Sequence, residues 1–340
     1  MSTAVTPQEI GTKMGAMGYL PVALFGAIMA LSSLAVAWRI AHTYFSAPQW
    51  VGEFIGYAAM LGFVGFVGLV VGYAVKMWSS FDLVKAEFNH PIAGSLFGTP
   101  LICLLLLPIL LAEISIPLAR IVWVLGTVGM TLFAWMIVHR WMSVQLHVEH
   151  TAPAWIIPVV GMINVPLAVP MLHFQSIHGV MIFSLAVGLF FAIPLFTMIF
   201  SRLMFQAPMP KTLQPSLMIV VAPFAVGFSS YVTTIGEIDA FAEALLMLML
   251  FLLAVVIGRL WSLVGCCPFR VAWWSVSFPL ASSASAAMRY AANEQNEYAN
   301  GIAIFLLALA SCVILGLLAR TLLGILRGEL RTLTGDLSAR

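Results

Sequence analysis

Side chains able to do chemistry are sparse in this chain, and their densest run is Trp273-Trp274-Ser275-Val276-Ser277-Phe278-Pro279-Leu280-Ala281-Ser282-Ser283-Ala284-Ser285. At helical spacing Ser275, Phe278, Ser282 and Ser285 share one face, which sets a phenylalanine midway along a stripe of hydroxyls. Hydroxyls are weak donors whose partial positive charge suits a loosely held anion, and a bulky ring among them could close a narrow passage. The same residue types also pack helix centres and satisfy their own backbone, so the stripe alone leaves both readings open.

The other polar clusters carry less. His147-Val148-Glu149-His150 sets two histidines three apart around a carboxylate, but the order is not H-E-x-x-H and no further ligands stand near, so solvated loop residues explain it and no metal is expected. His173 and His178 flank a turn, and Glu113, Glu237, Asp239, Glu294 and Glu297 fall near helix ends as a solvated rim. A catalytic site needs a nucleophile, an acid/base pair or a metal within hydrogen-bond reach. No such cluster falls inside the apolar runs, so neither an enzyme nor a cofactor is expected. The four cysteines, Cys103, Cys266, Cys267 and Cys312, show no C-x-x-C spacing and no structural disulfide is expected.

The elements that must position these residues are set by composition. Of 340 residues 62% are hydrophobic and 8% charged, against about half and about a quarter in soluble domains. Such a chain cannot build a water-facing surface, and membrane lipid is its surroundings. Apolar runs fall at 16–38, 51–75, 91–114, 117–138, 153–172, 176–200, 212–234, 238–262, 270–291 and 299–323, each long enough to cross a bilayer core as a helix. The expected fold is therefore all-α and integral to the membrane, with ten spans forming one domain over 15–325 between short tails at 1–14 and 326–340. The first run lacks a cleavage site of the A-x-A kind and reads as a retained span. Trp38, Trp50, Trp78, Trp141, Trp155, Trp261, Trp273 and Trp274 lie at or near the ends of spans, as an interfacial aromatic belt would.

Fifteen Lys and Arg residues set the orientation. All but Arg39, Arg120 and Arg289 fall on one side, which places both termini in the cytoplasm. Lys76, Arg140, Arg202, Arg259 and Arg320 close the even spans at intervals of about 60 residues, as a hairpin repeated five times would. Proline is concentrated in the odd spans: Pro21, Pro100, Pro108, Pro158, Pro166, Pro170, Pro215, Pro223 and Pro279. A proline inside a helix frees a carbonyl that lipid cannot satisfy, so the odd spans belong inside, ringed by the straighter even ones. Between their ends the odd spans show no Asp, Glu, Lys or Arg, which disfavours a cation path and leaves a neutral lining suited to anions.

Several stretches resemble signatures of the TehA-like tellurite-resistance and dicarboxylate-transporter family, which includes the plant slow anion channels and yeast malate and sulfite transporters. They are Leu20-Pro21-Val22-Ala23-Leu24-Phe25-Gly26, Phe88-Asn89-His90-Pro91, Thr151-Ala152-Pro153-Ala154-Trp155-Ile156-Ile157-Pro158, Leu213-Gln214-Pro215 with Ala222-Pro223, and Ala272-Trp273-Trp274-Ser275-Val276-Ser277-Phe278-Pro279. The resemblance implies five hairpins around a quasi-fivefold pore, a homotrimer with one pore per subunit, and Phe278 as a plug displaced on opening. The expected lining is Pro21, Phe25, Gly26, Pro100, Pro158, Pro166, Pro223, Ser275, Pro279, Ser282 and Ser285. The expected partners are small inorganic or carboxylate anions, not nucleic acid, and the expected location is a bacterial inner membrane. A carrier for a C4-dicarboxylate, tellurite or sulfite, driven by protons, is the alternative, with Arg289 or His90 as its charged or titratable group.

Overall fold

The computed structural model describes residues 20–45, 49–264 and 269–329. Among them every regular element is helical. Ten helices organise the chain: α1 (Phe25–Tyr44), α2 (Gln49–Ser79), α3 (Phe81–Asn89), α4 (Gly98–Leu111), α5 (Ile116–Ser143), α6 (His178–Phe205), α7 (Ala222–Ile235), α8 (Ala240–Val264), α9 (Ser277–Glu294) and α10 (Glu297–Leu326). Pro153–Leu172, between α5 and α6, alternates 3-10 and short α turns.

Nine stretches among the described residues are long and apolar enough to cross a membrane. The segment Val271–Glu294, expected from the sequence as the ninth of ten spans, is helical but is not among them. Its Ser277, Ser282, Ser283, Ser285 and Arg289 dilute an otherwise apolar helix.

Burial separates the two sets of spans. In Val22–Tyr44, Ala93–Leu111, Pro153–Leu172 and Gln214–Ile235, 78, 72, 83 and 72% of the most apolar stretch is buried, whereas the five stretches between and after them are 18 to 39% buried. The inner segments pack in a closed ring: α1 on α4, α4 on the Pro153–Leu172 segment, that segment on α7, α7 on α9, and α9 back on α1. Most outer helices bridge two ring members, α2 touching α1 and α4, and α10 touching α9 and α1. Their remaining faces expose residues such as Tyr57, Trp135, Phe190, Phe251 and Phe305, as lipid-facing surfaces do.

The prolines act differently from the expected mid-helix kinks. Each inner segment opens with 3-10 turns, at Val22–Leu24, Ala93–Phe97, Pro153–Ile156, Gln214–Val221 and Val271–Val276, before widening into α-helix. Pro153, Pro158, Pro170, Pro215 and Pro223 occupy first turns, where no intrahelical N–H is lost and a fixed φ favours the helical start. Pro108 and Pro166 stand inside inner elements and Pro194 inside an outer one. Pro108 denies the Leu104 carbonyl its usual donor, and the outer helix α5 closes over that carbonyl. An added Cβ at Gly126 would lie 2.9 Å from Leu104 Cβ and 3.1 Å from Leu104 O, so only glycine permits this approach.

The basic residues that end the outer helices also have partners. Lys76 Nζ donates to Leu20 O at 2.6 Å, Arg140 Nη2 to Asn89 O at 3.0 Å and Arg202 Nε to Glu149 O at 3.2 Å. Each reaches back to the loop entering the inner segment of its own hairpin. The interval of about 60 residues in the sequence thus corresponds to a repeated fastening.

Candidate functional site

Two cavities lie within the ring. The larger, of about 100 Å³, is lined from the 3-10 lead-ins and the first helical turns, including Ala23, Leu96, Ala154, Ile219 and Ala272. The smaller, of about 30 Å³, is lined by later positions of the same segments, including Ser33, Leu106, Leu167, Ser229 and Ser285. Every inner segment contributes to both. Asn164, Val226 and Phe278 line both cavities, so these three residues form the waist between them.

Phe278 is 6% exposed. It is the second residue of α9, where 3-10 geometry gives way to α. The stripe read from the sequence runs past it in register: Ser275 borders the larger cavity, Ser282 and Ser285 the smaller. The serines donate to backbone, Ser275 to Ala272 O at 2.6 Å, Ser282 to Pro279 O at 3.0 Å and Ser285 to Ala281 O at 3.1 Å. A hydroxyl proton can rotate away from such a bond toward a passing anion.

Of the remaining expected lining residues, Gly26, Pro223 and Pro279 border the larger cavity. Pro21, Phe25, Pro100, Pro158 and Pro166 border neither. Phe25 turns to the outer helix α2, edge-on to Phe66 at 5.7 Å and to Tyr73 at 6.4 Å between ring centres. Pro21 precedes the first 3-10 turn, and Pro158 and Pro166 are buried in the irregular third segment.

Asn164 is a polar lining residue that the sequence reading missed. Asn164 is 2% exposed; its Nδ2 donates to Gly161 O at 2.9 Å while Oδ1 is buried without a partner. Its one signal was an amide inside an apolar run. Arg289, read from the sequence on the outer side and offered as the charged group of a carrier, lines the smaller cavity from within α9. The expectation of a lining free of full charge therefore fits the larger cavity and fails at the smaller. Neither Asn164 nor Arg289 is acidic, and among the described residues no carboxylate borders either cavity.

His90, the other group considered for a carrier, has its Nδ1 engaged by the Ile92 and Ala93 N–H groups at 3.2 and 3.1 Å, capping the turn that follows. His147 and His150 meet edge to face at the surface, and no group of three or more metal-ligating side chains occurs among the described residues. Cys103 is buried and Cys312 exposed, both as free thiols. Cys266 and Cys267 lie outside the described residues.

Known proteins resemble the chain over most of its length. The chain is 26% identical over 315 residues to the S-type anion channel SLAH3 of Arabidopsis thaliana, covering 89% of this chain and 48% of the plant protein. It is 25% identical over 322 residues to the tellurite resistance protein TehA homolog of Haemophilus influenzae, covering 91 and 92% of the two. It is also 24% identical to an uncharacterised transporter of Methanocaldococcus jannaschii, over 75% of this chain and 80% of that protein. The chain thus spans about half the length of the plant relative and nearly all of the bacterial one. A family profile described as voltage-dependent anion channel, SLAC1, matches residues 19–322, and the chain belongs to that family of membrane channels and transporters, which are not enzymes.

Proposed function

We propose that the chain provides a gated, passive route for small anions, running through the ring of inner segments and closed at the waist by Phe278. The observation that carries this reading is that one aromatic ring walls both cavities. A phenyl ring between the two cavities blocks an ion by filling the passage and by offering no replacement for its water shell. The lining supports an anion as the ion: aliphatic walls, serine hydroxyls, one amide and one guanidinium, without a carboxylate. With Val271–Glu294 included, the five inner segments and the five outer helices together make ten crossings in five hairpins. The basic face lies in the cytoplasm with both termini, in a bacterial inner membrane, and the subunits form a homotrimer with a pathway in each.

The experiment is Phe278→Ala in planar bilayers or liposomes. Anion current well above wild type is expected, with reversal potentials that follow the chloride or nitrate gradient and not the cation gradient. A variant no more conductive than wild type refutes the plug. The second reading, a carrier for a C4-dicarboxylate, tellurite or sulfite, draws on Arg289 beside the smaller cavity. It requires saturable uptake without unitary current steps, so single-channel openings of the purified protein dismiss it. Light scattering in detergent at three times the monomer mass supports the trimer, and a monomer mass removes it.

A further inference from the structure

Three arginines lie toward the end of the ring away from the basic face, and two have strong acceptors. Arg39 Nη1 is 2.9 Å from Glu113 Oε1 and 2.7 Å from Ile109 O. Arg120 donates to Leu172 O and His173 O at 2.8 and 3.0 Å. Arg289 has neither kind of partner. Its Nη1 reaches the Thr233 hydroxyl at 3.3 Å, its Nε is buried without a partner, and among the described residues no carboxylate lies within ion-pair distance. Arg289 is half-buried, and a guanidinium partly withdrawn from water without a counter-charge is unfavourable unless something else supplies that charge.

The surroundings of Arg289 are those of a receptor for that counter-charge. Ser229, one turn before Thr233 on α7, has its hydroxyl buried without a partner. Asn164 Nδ2 commits one proton to Gly161 O and retains a second. Ser33, Ser282 and Ser285 complete the polar part of the wall. The enclosed volume is about 30 Å³, where about 10–15 Å³ suffices for one water molecule. One halide or nitrate fits this space.

We propose that the smaller cavity is an anion-binding site, in which one small, singly charged anion rests against the Arg289 guanidinium and the Ser229 hydroxyl on the far side of Phe278. As a station on the route it rests on the pathway reading above; as a binding site it exists with the plug closed. The anion held there is the counter-charge that the protein itself omits.

The test separates the two. Purified wild-type protein in detergent is titrated with sodium bromide against sodium gluconate at constant ionic strength, and the unfolding temperature is followed. A saturable rise is expected, abolished in Arg289→Gln, weakened in Ser229→Ala and kept in Arg289→Lys. Crystals grown in bromide should show an anomalous peak beside the guanidinium. In the Phe278→Ala background, Arg289→Gln should raise the half-saturating anion concentration roughly tenfold, as loss of a charged hydrogen bond does. Bromide stabilisation equal in wild type and Arg289→Gln overturns the site. Should Arg289→Gln fail to purify, an unchanged bromide response in Ser229→Ala together with no anomalous peak overturns it equally. If wild type binds bromide through Arg289 but Phe278→Ala carries no current, the site stands and the pathway reading falls.

Discussion

Glu87 should be the most consequential carboxylate in the chain for stability, and Glu87→Ala tests this. The short helix α3 carries it against the end of α2, where the Lys76 side chain is 5% exposed and that of Glu87 14%. Glu87 accepts three bonds: from Lys76 Nζ at 2.7 Å, from the Tyr73 hydroxyl at 2.9 Å and from the Val22 N–H at 2.8 Å. Lys76 also donates to Leu20 O at 2.6 Å. Four groups thus hold the entrance of the first inner segment, one turn before Ala23 and Gly26 reach the larger cavity. Removing the carboxylate strands the Lys76 charge on a single carbonyl and orphans the Val22 N–H. Breaking a buried pair from one side costs about 3–5 kcal/mol. Tyr73→Phe removes one bond to a charged acceptor, about 1.5–3 kcal/mol. Replacing both ions by Met should cost less than Glu87→Ala alone, since no unpaired charge remains. Reversible unfolding in mixed dodecylmaltoside and SDS micelles, followed by near-UV circular dichroism, measures all three. A Glu87→Ala loss below about 1 kcal/mol, or a double substitution equal to the sum of its singles, would refute the fastening.

Asn164→Asp, made in the Phe278→Ala background, places a carboxylate at the waist and should suppress anion current and shift the reversal potential toward cations; unchanged anion selectivity would remove Asn164 from the path. Asp239 accepts from the Tyr231 hydroxyl at 2.7 Å and from the Ala242 and Phe241 N–H groups at 3.0 and 3.1 Å. The Tyr231 bond and then the Ala242 N–H hold its carboxyl below the usual carboxylate range. A depressed folded pKa gives stability above the unfolded value of about 3.9 that is lost as pH falls through the folded one. Asp239→Asn should therefore lower Tm slightly at neutral pH and match wild type in strong acid. A pH-independent difference in Tm would contradict the assignment.

The inside and outside of this molecule were legible because lipid punishes polar backbone. Prolines inside a span are favoured where protein can satisfy the carbonyls they free, so the proline-rich runs marked the inner segments before any contact was known, with Pro194 in the outer α6 as an exception. Their local effect was not legible. Pro153, Pro158, Pro170, Pro215 and Pro223 fall in first turns, and whether a proline starts a helix or bends one depends on where the 3-10 lead-in stops. Lys76, Arg140 and Arg202 were read as markers of orientation. Their hydrogen bonds to Leu20, Asn89 and Glu149 show that the same side chains also fasten the first three hairpins, a role that composition cannot reveal because the acceptors are backbone carbonyls.

Arg289 shows why the site was harder to read than the fold. On hydropathy it marks a helix end, and a single basic residue near the end of a run is ordinary. Its position gains meaning from what lies across the ring: Ser229 and Thr233 on α7, Ser33 on α1 and Asn164 on the third segment, residues distant in sequence and none charged. The larger cavity is bounded almost wholly by aliphatic side chains, so an anion there gains little and is held weakly. The smaller one concentrates donors around a cation, where an anion is stabilised by charge. On the proposed pathway, weak attraction before Phe278 and strong attraction beyond it would favour entry past the ring once it moves. The limit on throughput then lies in release from Arg289, because conduction requires binding favourable enough to enter yet weak enough to leave.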